Sequence, residues 1–138
     1  MSPRLGQLTE LSLYVDDLDA SKSFYQRLLG LDVLLEEHRM VGLELPGSAV
    51  LLLFDRAASG AQAGRSSPDA WASQDDSGAR HVCLSVSEAS LTDWERHLMV
   101  NGVVVEGRVA QSNGSVSLYF RDLDGHSLEL ATPGIWAA

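Results

Sequence analysis

Cysteine occurs once in the 138 residues, as Cys83, lysine occurs once, as Lys22, and aromatic residues make up only 7% of the chain. A single cysteine excludes an internal disulfide, so a reducing, cytoplasmic setting is expected. No apolar run approaches the roughly 20 residues of a membrane-spanning helix, and the first residues lack a signal-peptide core. Positive charge is also scarce: ten Lys and Arg stand against 19 Asp and Glu, a formal net charge of -9. The arginines are scattered along the chain, so neither nucleic acid nor an anionic membrane meets a basic face. A phosphate-binding Gly loop, an H-E-x-x-H helix and a nucleophile elbow are all missing, which leaves nucleotide-dependent and hydrolase chemistries without support.

What is there is an average globular composition, 45% hydrophobic and 21% charged. The length reads as one domain, 1–138, large enough to build a core without a structural metal. Any metal present would therefore be functional.

The apolar pattern switches period in an orderly way. Leu8 to Val15 alternates, with Leu11, Leu13 and Val15 on one side and Glu10, Ser12 and Tyr14 on the other, as in a half-buried strand. Asp16 to Asp19 then offers capping carboxylates, Ser21, Phe24, Tyr25, Leu28 and Leu29 share a helical face, and Gly30 suits the left-handed C-terminal position. Three β-rich runs follow, Leu31 to Glu37, Met40 to Leu45 and Ala49 to Phe54, with Pro46-Gly47 as a turn. Module one is thus β-α-β-β-β over 8–54. Residues 55–79, rich in Ala, Ser, Gly and Asp, read as a connector in which Trp71 packs down onto a neighbouring surface.

The pattern then repeats over 80–131. His81 to Val86 alternates like the first strand. Ser90 and Asp93 have capping-box spacing ahead of a helical face of Leu91, Trp94, Leu98 and Met99 that stops at Asn101-Gly102. Strands Val103 to Ala110, Ser115 to Arg121 and Ser127 to Ala131 close the unit, the last two joined by a turn at Asp122 to Gly125, and 132–138 is a tail. Two such units in an α+β chain suggest pseudo-twofold pairing into a curved mixed sheet with helices outside and an open cup inside.

Alternation sorts the side chains. If the aliphatic faces pack on the helices, then Glu10, Ser12 and Tyr14, His81, Cys83 and Ser85, and Ser127, Glu129 and Ala131 face the cup. Glu10 and His81 are equivalent in the two modules, and Leu52 is the equivalent of Glu129. Two carboxylates and an imidazole on an apolar wall call for a counter-charge, and a divalent cation such as Mn, Fe, Ni, Co or Zn suits that donor set. The residues alone also allow a plainer reading: Glu10 at a solvated rim, His81 an ordinary core histidine, Glu129 paired with Arg121. Tyr119 and Arg121 share the side of Ser117, where they would act on substrate or serve as structural groups. Cys83 reads better as a small packed residue than as a reactive thiol. His126 is left in its turn, His97 and His38 on solvated surfaces, and Asp122-x-Asp124-Gly125 lacks the remaining ligands of a calcium loop.

Several stretches together resemble the glyoxalase, bleomycin-resistance and extradiol-dioxygenase superfamily, also called vicinal oxygen chelate. They are 8–18 (LTELSLYVDDL), Phe24-Tyr25 with Leu28 to Leu31, 81–86 (HVCLSV) and, most specific of all, 119–130 (YFRDLDGHSLEL). The resemblance implies paired β-α-β-β-β modules around a metal held by inward residues, commonly His, His and Glu. It makes Glu10, His81 and Glu129 the metal ligands, with Glu10 standing where His is usual. Leu52 stands where glyoxalase I-like members carry a fourth ligand, so the implied chemistry is of dioxygenase, isomerase or epimerase, or transferase type, and not glyoxalase I itself. Tyr119 and Arg121 become catalytic candidates, and Tyr14, Leu52, Trp71 and Cys83 line the substrate pocket. The alternative is a metal-free small-molecule or antibiotic-binding cup, and a weaker one a domain used only for dimerisation. Relatives are usually homodimers, and Ile135 and Trp136 give the tail an apolar surface for a partner copy.

Overall fold

The computed structural model of the chain describes residues 2–56 and 78–137; Trp71 and the core of the connector lie outside the described residues. The chain divides into two compact units, Met1–Ser77 and Gly78–Ala138.

In the first unit β1 (Glu10–Val15) leads to α1 (Leu18–Leu29), then β2 (Val33–Glu37), β3 (Met40–Glu44) and β4 (Val50–Asp55). The helix starts where expected because Asp17 accepts a 3.0 Å hydrogen bond from the Ala20 amide, and it stops at Gly30, whose φ of 69° is the left-handed turn that favours glycine. Ser21, Phe24, Tyr25 and Leu28 are buried on the face that lies against β3 and β4. The sheet order is β1-β4-β3-β2, with β1 parallel to β4 and the other pairs antiparallel. Chain reversal at Pro46-Gly47 is closed by the Leu45 amide on the Ala49 carbonyl. Leu13, Val15, Leu43 and Leu53 are at most 1% exposed and form the helix side of the sheet.

The second unit repeats the plan. β5 (His81–Ser85) is followed by a short 3-10 turn at Glu88–Ser90 and α2 (Leu91–Val100), then β6 (Gly107–Ala110), β7 (Val116–Arg121) and β8 (Ser127–Ala131). The order β5-β8-β7-β6, with β5 parallel to β8, is the same topology as in the first unit. Leu118, Phe120, Leu128 and Leu130 are buried on one side of this sheet. Each of these side chains stabilises the fold by roughly 1.5–3 kcal/mol through burial.

Three local expectations are corrected. Ser90 does not form a capping box: its hydroxyl donates to the Ser87 carbonyl at 2.8 Å, because the preceding 3-10 turn has already begun the helix. Met99 is 71% exposed, since the buried face of α2 runs through Leu91 and Leu98, and Met99 lies about 100° round the helix from Leu98. The sixth strand begins at Gly107, not Val103, because the Val103 amide bonds back to the Leu98 carbonyl and holds 103–105 against the helix end; the ladder is joined only from Glu106, whose amide reaches the Tyr119 carbonyl. Among the described residues no helix is long and apolar enough to cross a membrane.

Candidate functional site

Register, more than any single residue, builds the open face of the second sheet. His81 lies beside Ser127, which lies beside Arg121; Cys83 lies beside Glu129, Tyr119 and Gly107 in turn; Ser85 lies beside Ala131 and Ser117. Period-two alternation puts all of these on the side opposite Leu84, Leu118, Leu128 and Leu130. The exposure of His81, Cys83 and Ser85 between half-buried Val82 and Leu84 follows the same rule.

Glu129 is the focus of this face. Only 5% of it is exposed, and a carboxylate so placed needs partners. Ser117 Oγ donates to Oε2 at 2.6 Å, His81 Nε2 stands 3.0 Å from Oε1, and the Tyr119 hydroxyl adds a further hydrogen bond. Burial favours the neutral acid, but the bonds from Ser117, His81 and Tyr119 outweigh it and hold the carboxyl below its ordinary range. Its neighbours respond in the opposite sense. Burial, and then the Glu129 charge and hydrogen bond, push the Cys83 thiol up to about 11 and the Tyr119 phenol above its usual value. Cys83 therefore sits here as a protonated thiol and Tyr119 as a phenol, but Cys83 is not the packed core residue expected: it is exposed, because alternation turns it to the open face with His81 and Ser85. The His81 ring is oriented from both ends, with Ser127 Oγ 3.0 Å from Nδ1, and it stacks on Tyr119 at 6.2 Å between centroids.

The equivalent face of the first sheet is different in kind. Glu10 lies beside Val50, Ser12 beside Leu52, and Tyr14 beside Phe54. Since Cys83 lies beside Glu129 in the second sheet, the equivalences of Glu10 with His81 and of Leu52 with Glu129 hold in the strand pairing itself. Leu52 is buried in an apolar cluster with Tyr14 and Phe54, whose ring centroids are 5.8 Å apart, and offers no donor.

Arg121 pairs with neither Asp122 nor Glu129: its guanidinium donates to Glu106 at 3.1 Å and to the Gly125 carbonyl at 3.0 Å. His126 lies at the end of its turn, as expected, and is buried there. It is 1% exposed, and its Nδ1 accepts the Arg80 amide at 2.9 Å. Asp122 caps that turn, Oδ1 accepting from the amides of Asp124 and His126. The half-buried His97 packs edge-on against Trp94. Alternation places Ser117 and Ser127 on the open face but gives them no role; their hydroxyls are what fix the carboxylate and the imidazole.

Two donors at right angles about 2.1 Å from one cation lie about 3 Å apart. The 3.0 Å separation of His81 Nε2 and Glu129 Oε1 meets that requirement. The remaining Nδ1 and Oε2 are held by serines on the far sides of the two groups, as outer-shell partners of metal ligands commonly are. The separation is that of two adjacent ligands of one divalent ion, and it is equally that of the hydrogen bond between them. Among the described residues no three His, Cys, Asp or Glu side chains are gathered closely enough to hold one by themselves.

Residues 4–130 match the family model described as the Glyoxalase/Bleomycin resistance protein/Dioxygenase superfamily. The chain is 28% identical over 126 residues, 91% of its length and 82% of the relative's, to metallothiol transferase FosB of Staphylococcus haemolyticus. The Bacillus licheniformis FosB is 27% identical over 130 residues, covering 94% of this chain and 77% of that one. Among solved structures, lactoylglutathione lyase from Agrobacterium tumefaciens superposes with a TM-score of 0.85 at 30% identity, covering 99% of this chain and 100% of that one. The fold is also that of the fosfomycin resistance protein FosX from Listeria monocytogenes complexed with Mn(II) and sulfate, with a TM-score of 0.70 at 14% identity over 94% of this chain and 91% of that one. On the sequence match, the strand topology and these likenesses, the chain belongs to the Glyoxalase/Bleomycin resistance protein/Dioxygenase superfamily.

Proposed function

We propose that the protein is a divalent-metal enzyme of the vicinal oxygen chelate type that joins a thiol to a small oxygenated electrophile. The observation that carries this reading is the His81 and Glu129 pair, with donor atoms 3.0 Å apart and their other polar atoms turned away into serine hydroxyls. The FosB relatives, described as metallothiol transferases, favour transfer over the other chemistries of the superfamily.

Glu10 is the third proposed ligand. Two carboxylates and a neutral imidazole balance a +2 ion and leave positions for substrate oxygens, which suits Mn, Fe, Ni, Co or Zn. A divalent cation held there supplies the Lewis acidity that stabilises an oxyanion. In the reaction a sulfur–carbon bond forms, a carbon–oxygen bond breaks, and the released oxygen takes a proton. Tyr119, whose phenol keeps its proton and donates a hydrogen bond to Glu129 in the metal-free face, is the proposed hydrogen-bond donor to that oxygen once the Glu129 carboxylate is turned to the cation. Arg121 is proposed for an anionic group of the substrate, and Tyr14, Leu52 and Cys83 for its walls. The second Glu129-equivalent position, Leu52, carries no ligand, so lactoylglutathione lyase activity is not proposed. A cytoplasmic homodimer is the proposed state, in keeping with one cysteine and with an Ile135-Trp136 tail whose Trp136 is 94% exposed.

The test uses tag-free protein loaded with Mn(II) and incubated with fosfomycin and either L-cysteine or glutathione, with adducts followed by mass spectrometry. A thiol adduct that disappears in His81→Ala and Glu129→Ala is expected. Metal-loaded wild-type protein that forms no adduct with either thiol would contradict thiol transfer, and unchanged metal affinity in Glu10→Ala would remove Glu10 from the ligand set.

A further inference from the structure

Ser127 Oγ lies 3.0 Å from His81 Nδ1, while Nε2 of the same ring lies 3.0 Å from Glu129 Oε1. The two contacts impose a proton count. An ionised carboxylate only accepts hydrogen bonds, so the Nε2 contact requires the ring proton on Nε2. In the neutral form of the ring Nδ1 then offers a lone pair, and the hydrogen bond there comes from the Ser127 hydroxyl. If Nε2 instead gives its lone pair to a cation, the neutral ring carries its proton on Nδ1, and Ser127 Oγ must accept. A hydroxyl can do either by rotating about its Cβ–Oγ bond. A carboxylate or a carbonyl at this position could only accept, and would oppose the metal-free arrangement.

Backbone geometry keeps the hydroxyl in place through both arrangements. Ser127 is the direct strand neighbour of His81 in the β5 and β8 pairing, its amide is bonded to the Arg80 carbonyl at 2.8 Å, and Tyr119 covers the ring from its stacked position.

We propose that Ser127 is a positioning residue that partners both tautomers of His81, so that the ring proton moves from Nε2 to Nδ1 on metal loading while the imidazole stays where it is. The exchange is balanced: Nε2 releases one proton to solvent, Nδ1 takes one up, and the ring remains neutral. The inference rests on the metal reading of the site, and its test separates the two.

Histidine-labelled 15N protein, full-length and tag-free, is observed at pH 8 by long-range 1H–15N correlation without metal and with Zn(II), and zinc affinity is titrated in parallel. Wild-type protein is expected to show the Nε2–H tautomer without metal and Nδ1–H with Nε2 coordinated in zinc. Ser127→Ala is expected to lose the single metal-free tautomer and to bind zinc at least about 10-fold more weakly. Ser127→Thr, which keeps the hydroxyl, should restore both. Zinc bound by Ser127→Ala with wild-type affinity and wild-type tautomers would overturn the role of Ser127 and leave the metal reading standing. Failure of wild-type protein to bind zinc would overturn the metal reading and the exchange with it.

Discussion

Glu129 receives a 2.6 Å hydrogen bond from Ser117 on one oxygen and faces His81 Nε2 at 3.0 Å with the other, so its two oxygens have separate tasks. The first contact holds the carboxylate as an anion, and the second presents it. A bond to a buried charge contributes about 1.5–3 kcal/mol, and Ser117→Ala should remove that much at pH 7. The sign with pH is fixed by the lowered folded-state value of Glu129. Its stabilising contribution is complete above the unfolded carboxylate value of about 4.3 and is lost as pH falls through the folded one. Denaturant melts of the metal-free proteins should therefore show wild type and Ser117→Ala converging in acid; a difference that grows on acidification would contradict this.

Cys83 faces the same carboxylate and behaves as a protonated thiol. With its pKa pushed up to about 11 by burial and then by Glu129, alkylation by iodoacetamide should be slow at pH 8 in the metal-free protein and rise toward that value. Glu129→Gln removes the charge and should speed the reaction. Rapid wild-type labelling at pH 8 would contradict the assignment.

His126 belongs to the turn that delivers β8 to the site, not to the site itself. Its ring is 1% exposed and accepts the Arg80 amide at 2.9 Å. Removing the ring leaves a cavity and an unpaired amide, a loss of about 2–4 kcal/mol. Urea melts of His126→Ala should show that loss, while a folded sample keeps its wild-type metal affinity. A stable variant that no longer binds metal would instead make His126 a ligand.

The architecture was legible because two signals agreed twice: alternation around 11–15 and 82–86, and helical spacing that ends in glycine at 30 and 102. Even the equivalence of Leu52 with Glu129 was readable, since it needs only strand order. What escaped was set by hydrogen bonds that alternation does not carry. Alternation puts Ser117 and Ser127 on the correct face and names no partner for either, Arg121 reaches Glu106 instead of Glu129, and His126 is buried in a turn closed by Asp122. A generous helical stripe through Leu98 also takes in Met99, which the structure leaves exposed.

Gly30 and Asp17 test the reading of the first helix. Gly30 has a φ of 69°, so Gly30→Ala should cost about 1 kcal/mol, and Asp17→Ala a similar amount through the lost cap. Thermal melts should show both losses adding within error, because the two ends of α1 share no partner; a stabilised Gly30→Ala would refute the left-handed cap.

Metal content decides most. Protein prepared without a nickel-binding tag or chelator, dialysed against Mn(II) or Zn(II) and measured by plasma mass spectrometry, should retain a single tightly held divalent ion per chain. Folded His81→Ala and Glu129→Ala should retain none. Wild-type protein that emerges free of metal, or folded variants that hold it as well as wild type does, would contradict the account.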